Sequence, residues 1–177
     1  GAVSPPQLCQ QILEHPFITF QSAQVTGSQK SGDAQLQLLD YERNILGNFD
    51  HVMVCCAINS PKFFSHYPRL RAIRGQVSWF KNTKQTLDPQ QAYSFGGYCI
   101  QLDAEHLITG ASFHPERDDN AVELADHVHN HELIHTAFPH YAQTLPPIET
   151  WEGRASVRAQ TLDSFPVVGK GVDDHEI

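Results

Sequence analysis

The 177-residue sequence predicts an α+β fold, a mixed and largely antiparallel sheet with flanking helices. Three observations carry this expectation. Alternating apolar stretches recur in pairs across short polar turns, the pattern of β-hairpins. Helical spacing is confined to the first dozen residues, a short stretch around "SPKFFSH", and Asn120 to Phe138. The turn G-x-G-x-x-G, which follows the first strand of a self-contained α/β nucleotide fold, occurs nowhere in the chain.

The elements follow in order. Ser4 is placed as an N-cap with Pro5 at the first helical position, and Leu8, Ile12 and Leu13 form an apolar stripe, so a helix runs towards Pro16. Residues 17–40 give two alternating stretches around "SQKSGD", a hairpin. "HVMVCCAI" is a continuous apolar run between Asp50 and Asn59, which predicts a strand covered on both faces and therefore central or parallel. "RLRAIRGQVSWF" alternates around Gly75, marking a bulge or a close backbone approach. "YCIQLDAEHLITGASF" divides at "DAEH" into a further hairpin. Asn120 with Glu123 three residues on is a capping-box pattern, and Pro139 supplies the stop. "ETWEGRASVRAQT" reads as a late strand and "DSFPVVGKG" as a glycine-bearing loop. The whole is expected to be one partial domain, subdivided at 1–60, 69–145 and 146–177.

Composition excludes some classes. The net charge of −8 argues against a dedicated nucleic-acid binder, which needs a basic surface. The charge is unevenly spread: residues 51–87 contain no Asp or Glu but hold Lys62, Arg69, Arg71, Arg74, Lys81 and Lys84. They are either a face for an anionic partner or scattered surface cations. The four cysteines, Cys9, Cys55, Cys56 and Cys99, include no C-x-x-C pair and are expected to be reduced, partly buried thiols. No apolar run approaches the roughly 18 residues needed to cross a bilayer, and the expected location is the cytoplasm.

"HELIH" matches the zinc-hydrolase pattern H-E-x-x-H at His131, Glu132 and His135. Two histidines four apart share a helix face and can hold Zn²⁺ while the glutamate activates a bound water. A third ligand is needed, and Glu149 and Glu152 are the downstream candidates. Against this, five of the chain's 11 histidines lie between His127 and His140, so the motif arises easily by chance. His131 and His135 also share a stripe with Leu124, Val128 and Phe138, which predicts a half-buried packing face. No metal is expected, and a zinc-dependent hydrolase stands as the alternative function.

Arg154 and Arg158, four apart in a predicted strand, project from one face. The T-x-D-x-x-P-x-x-G that follows gives a tight turn at Thr161–Asp163 and a loop able to bring backbone N–H groups to a ligand. Chemistry alone leaves two readings, an anion or cofactor contact and a salt-bridged surface strand.

"RAQTLDSFPVVG" resembles the C-terminal flavin-binding signature R-x-x-T-x-D-x-x-P-x-x-G of the D-amino-acid-oxidase-like flavoproteins, at Arg158, Thr161, Asp163, Pro166 and Gly169. "VSPPQLCQQIL" resembles the helix leading into that family's substrate domain, "HVMVCCAINS" its strand ending near the cofactor, and "RAIRGQVSWF" its R-G-Q-[VL] strand. The combination of "LRAIRGQVS", "GASFHPERDDNA" and "GRASVR" is most similar to the oxidoreductase half of a bifunctional tRNA-modifying member.

The resemblance implies the substrate domain of such a flavoprotein plus remnants of its FAD domain. It further implies an FAD-dependent amine oxidoreductase that removes the carboxymethyl group of 5-carboxymethylaminomethyl-2-thiouridine at the tRNA wobble position, with tRNA and a methyltransferase half of the same polypeptide as partners. Another amine or amino-acid oxidase of the family is the variant reading. By position, Ala57, Arg158, Asp163, Pro166, Gly169 and Lys170 are expected at the flavin, and Arg74, Gln76 and Arg154 on the substrate side. The missing fingerprint makes the chain look like a middle-to-C-terminal portion of that half, with weak or absent FAD binding of its own.

Overall fold

The computed structural model describes residues 3–32, 35–64, 66–82, 87–88, 90–115 and 117–170. The chain forms two compact units, Ser4–Leu70 with Thr161–Ile177, and Arg71–Gln160 with Gly1–Val3. No helix among the described residues is long and apolar enough to cross a membrane.

In the first unit, helix α1 (Pro5–Leu13) starts where the sequence places it, with Ser4 in extended backbone as N-cap and Pro5 in the first turn. Its expected packing stripe is not buried: Leu8, Ile12 and Leu13 are all exposed. Strands β1 (Gly27–Lys30), β2 (Leu36–Leu39) and β3 (Ile45–Phe49) form an antiparallel meander, registered Gly27 to Leu39 and Leu36 to Phe49. The predicted hairpin is therefore present, but its first strand begins at Gly27 and a third strand joins it. The run "HVMVCCAI" departs from expectation. Residues 51–56 have no regular structure, and a 3-10 helix follows at Ala57–Phe63. A strand buried on both faces needs neighbours at each edge and cover above and below. Among the described residues no strand pairs with this run, and Met53 is 87% exposed.

The second unit is one sheet with a helix on it. Strand β4 (Leu70–Lys81) is the spine. Strands β5 (Tyr93–Ser94), β6 (Tyr98–Gln101) and β7 (His106–Gly110) run outward from it as antiparallel neighbours, the β6–β7 pair being the hairpin predicted at "DAEH". β8 (His114–Pro115) pairs with the first half of β4, placing His114 opposite Arg74. β9 (Glu152–Thr161) also pairs with β4. The even residues Arg74, Gln76, Ser78 and Phe80 point to the buried side, where helix α2 (Leu124–Ala137) packs, followed by the short α3 (Pro139–Ala142). The apolar core lies beyond the polar half of β4 and gathers Phe80, Cys99, Leu107, Ile134 and Trp151, with Phe80 and Trp151 ring centroids 4.5 Å apart.

Two features of α2 differ from the periodic reading. Its buried residues are Asp126, His127, Asn130 and Ile134, while Leu124 and Val128 of the expected stripe are exposed. The helix also begins at Leu124, so Asn120 is not its cap. The first turn is instead held from the sheet: the Glu123 N–H donates to Gln76 Oε1 at 2.8 Å and Gln76 Nε2 donates to the Glu123 carbonyl at 2.9 Å. A side-chain amide from another element does what a local cap normally does.

Two glycines set how closely backbones approach. A Cβ on Gly75 would meet the Ser112 carbonyl oxygen at 2.7 Å, and one on Gly153 would meet His127 Cε1 at 2.8 Å and the Val77 carbonyl oxygen at 3.0 Å. Both neighbours include backbone that cannot yield. Gly75→Ala and Gly153→Ala should each cost about 1–3 kcal/mol of stability. Gly169→Ala, which meets nothing within 4 Å, should be near neutral. Urea melts of the three variants check the contrast.

Candidate functional site

The second unit carries a buried polar layer built outward from Arg74, whose side chain is fully buried. Its Nη1 donates to Asp126 Oδ2 at 2.7 Å and its Nε to Asp119 Oδ1 at 3.1 Å. Nη2 is shared between the Ala121 carbonyl and Gln76 Oε1. Asp126 is bonded on its other oxygen by His114 Nε2 at 2.6 Å. Arg117 completes the outer ring, gripping Glu123 through both terminal nitrogens and Asp119 through Nε. An isolated buried guanidinium is costly, and this cluster exists to satisfy it.

Deeper in, Asn130 Nδ2 donates to the Gln76 carbonyl and to Ser78 Oγ, and Ser78 Oγ lies 2.8 Å from His127 Nδ1. Gln76 Nε2, which can only donate, lies 3.5 Å from the same Nδ1, so both contacts are met when Nδ1 accepts and the His127 proton sits on Nε2. Burial pushes the His127 pKa below its ordinary 6.5, outweighing the nearby Asp126 charge. For Asp126 burial acts against ionisation, but hydrogen bonds from His114, Arg74 and Ser112 outweigh it and hold the carboxyl below 3.8.

Arg74 and Gln76, expected on the substrate side, thus have their polar atoms turned to α2 and engaged there. The other side of the same strands is more open. A cavity of about 340 Å³ is lined by Ile73, Gly75, Ala111, Ser112, Phe113, Ser156, Val157 and Arg158. Arg154, Ser156 and Arg158 are exposed along one face of β9, as the two-residue repeat predicts. Arg158 places its Cζ 5.7 Å from the Phe113 ring centroid. Phe113 and Ser112 had no motif of their own to mark them; they lie in "GASFHPERDDNA", which the resemblance singled out as a whole.

The remaining expected site residues belong to the first unit. Asp163 Oδ1 accepts the Phe165 N–H at 3.1 Å, Thr161 Oγ1 donates to the Phe165 carbonyl at 2.7 Å, and Ser164 has φ 66°. This is the predicted tight turn, and its backbone bond from Phe165, followed by Thr161, keeps the Asp163 pKa below 3.8. Pro166, Gly169 and Lys170 continue it as exposed irregular chain. Ala57 has φ 47°, a left-handed conformation that costs a Cβ-bearing residue about 1 kcal/mol.

Other sequence expectations resolve as follows. His131 and His135 sit side by side, ring centroids 6.4 Å apart, and His131 also packs 5.8 Å from Trp151. Among the described residues no three His, Cys, Asp or Glu side chains are placed to share a metal, so the zinc reading gains no support. Cys9, Cys55 and Cys56 are exposed, against expectation; only Cys99 is buried, and burial pushes its thiol up to about 12. The basic stretch is not one free patch. Arg74 is spent internally, Lys81 lies 3.7 Å from Glu105, and Lys84 falls outside the described residues.

No protein-family model matches the chain. In sequence it is 53% identical, over 99% of its length, to the tRNA 5-methylaminomethyl-2-thiouridine biosynthesis bifunctional protein MnmC of Acinetobacter baylyi, of which it covers 28%. It is 30% identical, over 96% of its length, to the MnmC of Psychrobacter cryohalolentis, again covering 28%. The chain therefore spans little more than a quarter of these relatives. Among solved structures it resembles the glycine oxidase of Geobacillus kaustophilus, with TM-score 0.61, 20% identity, and coverage of 85% of this chain and 40% of that one. The glycine oxidase of Bacillus cereus gives TM-score 0.60, 16% identity, and coverage of 84% and 41%. These likenesses bear out the predicted fold class.

The polar layer has measurable consequences. Arg74→Met leaves Asp126 buried without its guanidinium partner and should cost about 3–5 kcal/mol, whereas Arg74→Met with Asp126→Leu should cost less than the sum of the single changes. Acid should also weaken the fold. The unfolded chain protonates His127 near 6.5 while the folded site resists, so stability falls as pH drops below about 6.5, and Asp126 adds a second loss below 3.8. Denaturation midpoints between pH 8 and 5, compared with His127→Gln, test the first loss; the variant should show a flatter profile (pH range about that of histidine titration).

Proposed function

We propose, from the kinship of this chain with a segment of the MnmC proteins, that it forms part of an FAD-dependent oxidoreductase acting in tRNA wobble-uridine modification. The reaction is oxidative removal of the carboxymethyl group of 5-carboxymethylaminomethyl-2-thiouridine, giving 5-aminomethyl-2-thiouridine. The observation that carries this reading is the 53% identity maintained across nearly the whole chain. tRNA is the macromolecular substrate, and the other catalytic half of the bifunctional polypeptide is the partner that acts on the product amine.

The residues present fit one end of the cofactor. The cavity beside Gly75 and Phe113 offers an apolar wall, the exposed Ser156 hydroxyl and the exposed Arg158 guanidinium, which suit the polar edge of a planar ring. No Gly-rich turn is available for a pyrophosphate. FAD, when bound, supplies a two-electron acceptor for the hydride beside the substrate's secondary amine. The chain's own residues bind and orient. Arg158, Asp163, Pro166, Gly169, Lys170 and Ala57 are assigned to the flavin side. Arg154 is assigned to the carboxylate that is lost, because its exposed guanidinium can form a charge-assisted pair. Arg74 and Gln76 are assigned to the substrate side as supporting residues, their polar atoms holding the loop before α2 and its first turn.

Two measurements test this. The full-length protein incubated with tRNA bearing the carboxymethylaminomethyl nucleoside should yield the aminomethyl nucleoside by mass spectrometry, and an unchanged nucleoside would sink the reading. In that protein Arg154→Ala should raise KM for the modified tRNA roughly ten- to a hundredfold, the worth of a charge-assisted hydrogen bond. The isolated chain, in contrast, should purify with little flavin; stoichiometric flavin absorbance would contradict the missing phosphate anchor.

A further inference from the structure

Arg158 is exposed, and among the described residues no carboxylate pairs with it; its partner is the face of Phe113, 5.7 Å from Cζ to ring centroid. The choice of partner matters chemically. A carboxylate would neutralise the guanidinium and occupy its N–H groups, whereas an aromatic face holds the cation's plane and leaves every donor free at its edge.

Phe113 is itself held from both sides along the chain. Ser112 exchanges hydrogen bonds with Gln76, its Oγ accepting the Gln76 N–H at 3.0 Å and its own N–H donating to the Gln76 carbonyl at 3.1 Å. His114 lies opposite Arg74 in the sheet and bonds Asp126 at 2.6 Å. These two neighbours face the buried layer. Phe113 between them takes the other side, lining the cavity with half its surface open.

We infer that Phe113 is a positioning residue for Arg158: its ring, pinned through Ser112 and His114, orients the guanidinium at the cavity mouth for an anionic or electron-rich ligand edge. The inference deepens the flavin-side role given to Arg158 and rests on that reading. It also gives the buried layer a purpose at the cavity, since Gln76 through Ser112, and Arg74 and Asp126 through His114, hold this three-residue arm in place.

The test uses the full-length flavoprotein with Phe113→Leu, Phe113→Tyr and Arg158→Ala, alone and combined, reading the FAD dissociation constant together with KM and kcat for the modified tRNA. Phe113→Leu should weaken the same quantity that Arg158→Ala weakens, by about tenfold, the scale of a partly desolvated cation–π contact. Phe113→Tyr should restore it, and Phe113→Leu should add little in the Arg158→Ala background. A Phe113→Leu effect of equal size with and without Arg158 would mark a merely structural role and overturn the inference. If Arg158→Ala is damaging and Phe113→Leu is silent, the inference falls while the reading of Arg158 stands. If Arg158→Ala is itself silent, that reading falls and takes the inference with it.

Discussion

The second unit is organised around one awkward fact, a guanidinium with no access to water. Arg74 sits in the central strand with its side chain fully buried, and its charge is met by Asp126 and Asp119 while the Ala121 carbonyl and Gln76 take the remaining bonds. Because Asp119 and Ala121 come from the loop before α2 and Asp126 from its first turn, satisfying one cation fixes where the loop runs and where the helix starts. Asp119 and Asp126 of the acidic stretch before and into α2 are then intelligible as the counter-charges of a single arginine, with Arg117 binding Asp119 and Glu123 into the same cluster.

This explains how a helix with little amphipathic character is seated. α2 rests on β4 through Asp126, His127 and Asn130, and it reaches the apolar core at Ile134, with His131 against Trp151. Hydrogen bonds have direction and reach that apolar contacts lack, so the polar half sets position while the apolar half supplies burial. The arrangement is acid-sensitive for the same reason: its neutral histidine and its ionised aspartate are both in the protonation states that neutral pH favours.

How much was legible in the sequence follows from which physical signals are local. The hairpin at "DAEH", the long strand around Gly75 and the late strand with Arg154 and Arg158 on one face were all readable, because alternation and turn chemistry are short-range. Gly75 was marked as a close approach, and the Ser112 carbonyl is what it approaches. The face of α2 was not readable: an apolar stripe was sought, and the buried residues are polar ones whose partners lie some fifty positions away. The capping pattern at Asn120 failed likewise, since Gln76 serves the helix start from the sheet. "HVMVCCAI" has the composition of a covered strand, and composition alone could not say what covers it. At the candidate site the arginines of β9 were found from spacing, whereas Phe113 and Ser112 carry no local signature because their roles come from what lies across the sheet.

The amide of Gln76 that closes the start of α2 has a consequence for how such a sequence can change. It bonds the Glu123 backbone through both its oxygen and its nitrogen while also accepting from Arg74. Glutamate there would bring an acceptor where a donor is needed, and a shorter amide would fall short of the helix. The position therefore has almost no neutral neighbours in sequence space, and drift in this part of the protein must pass through paired replacements that trade the cation and its counter-charges together.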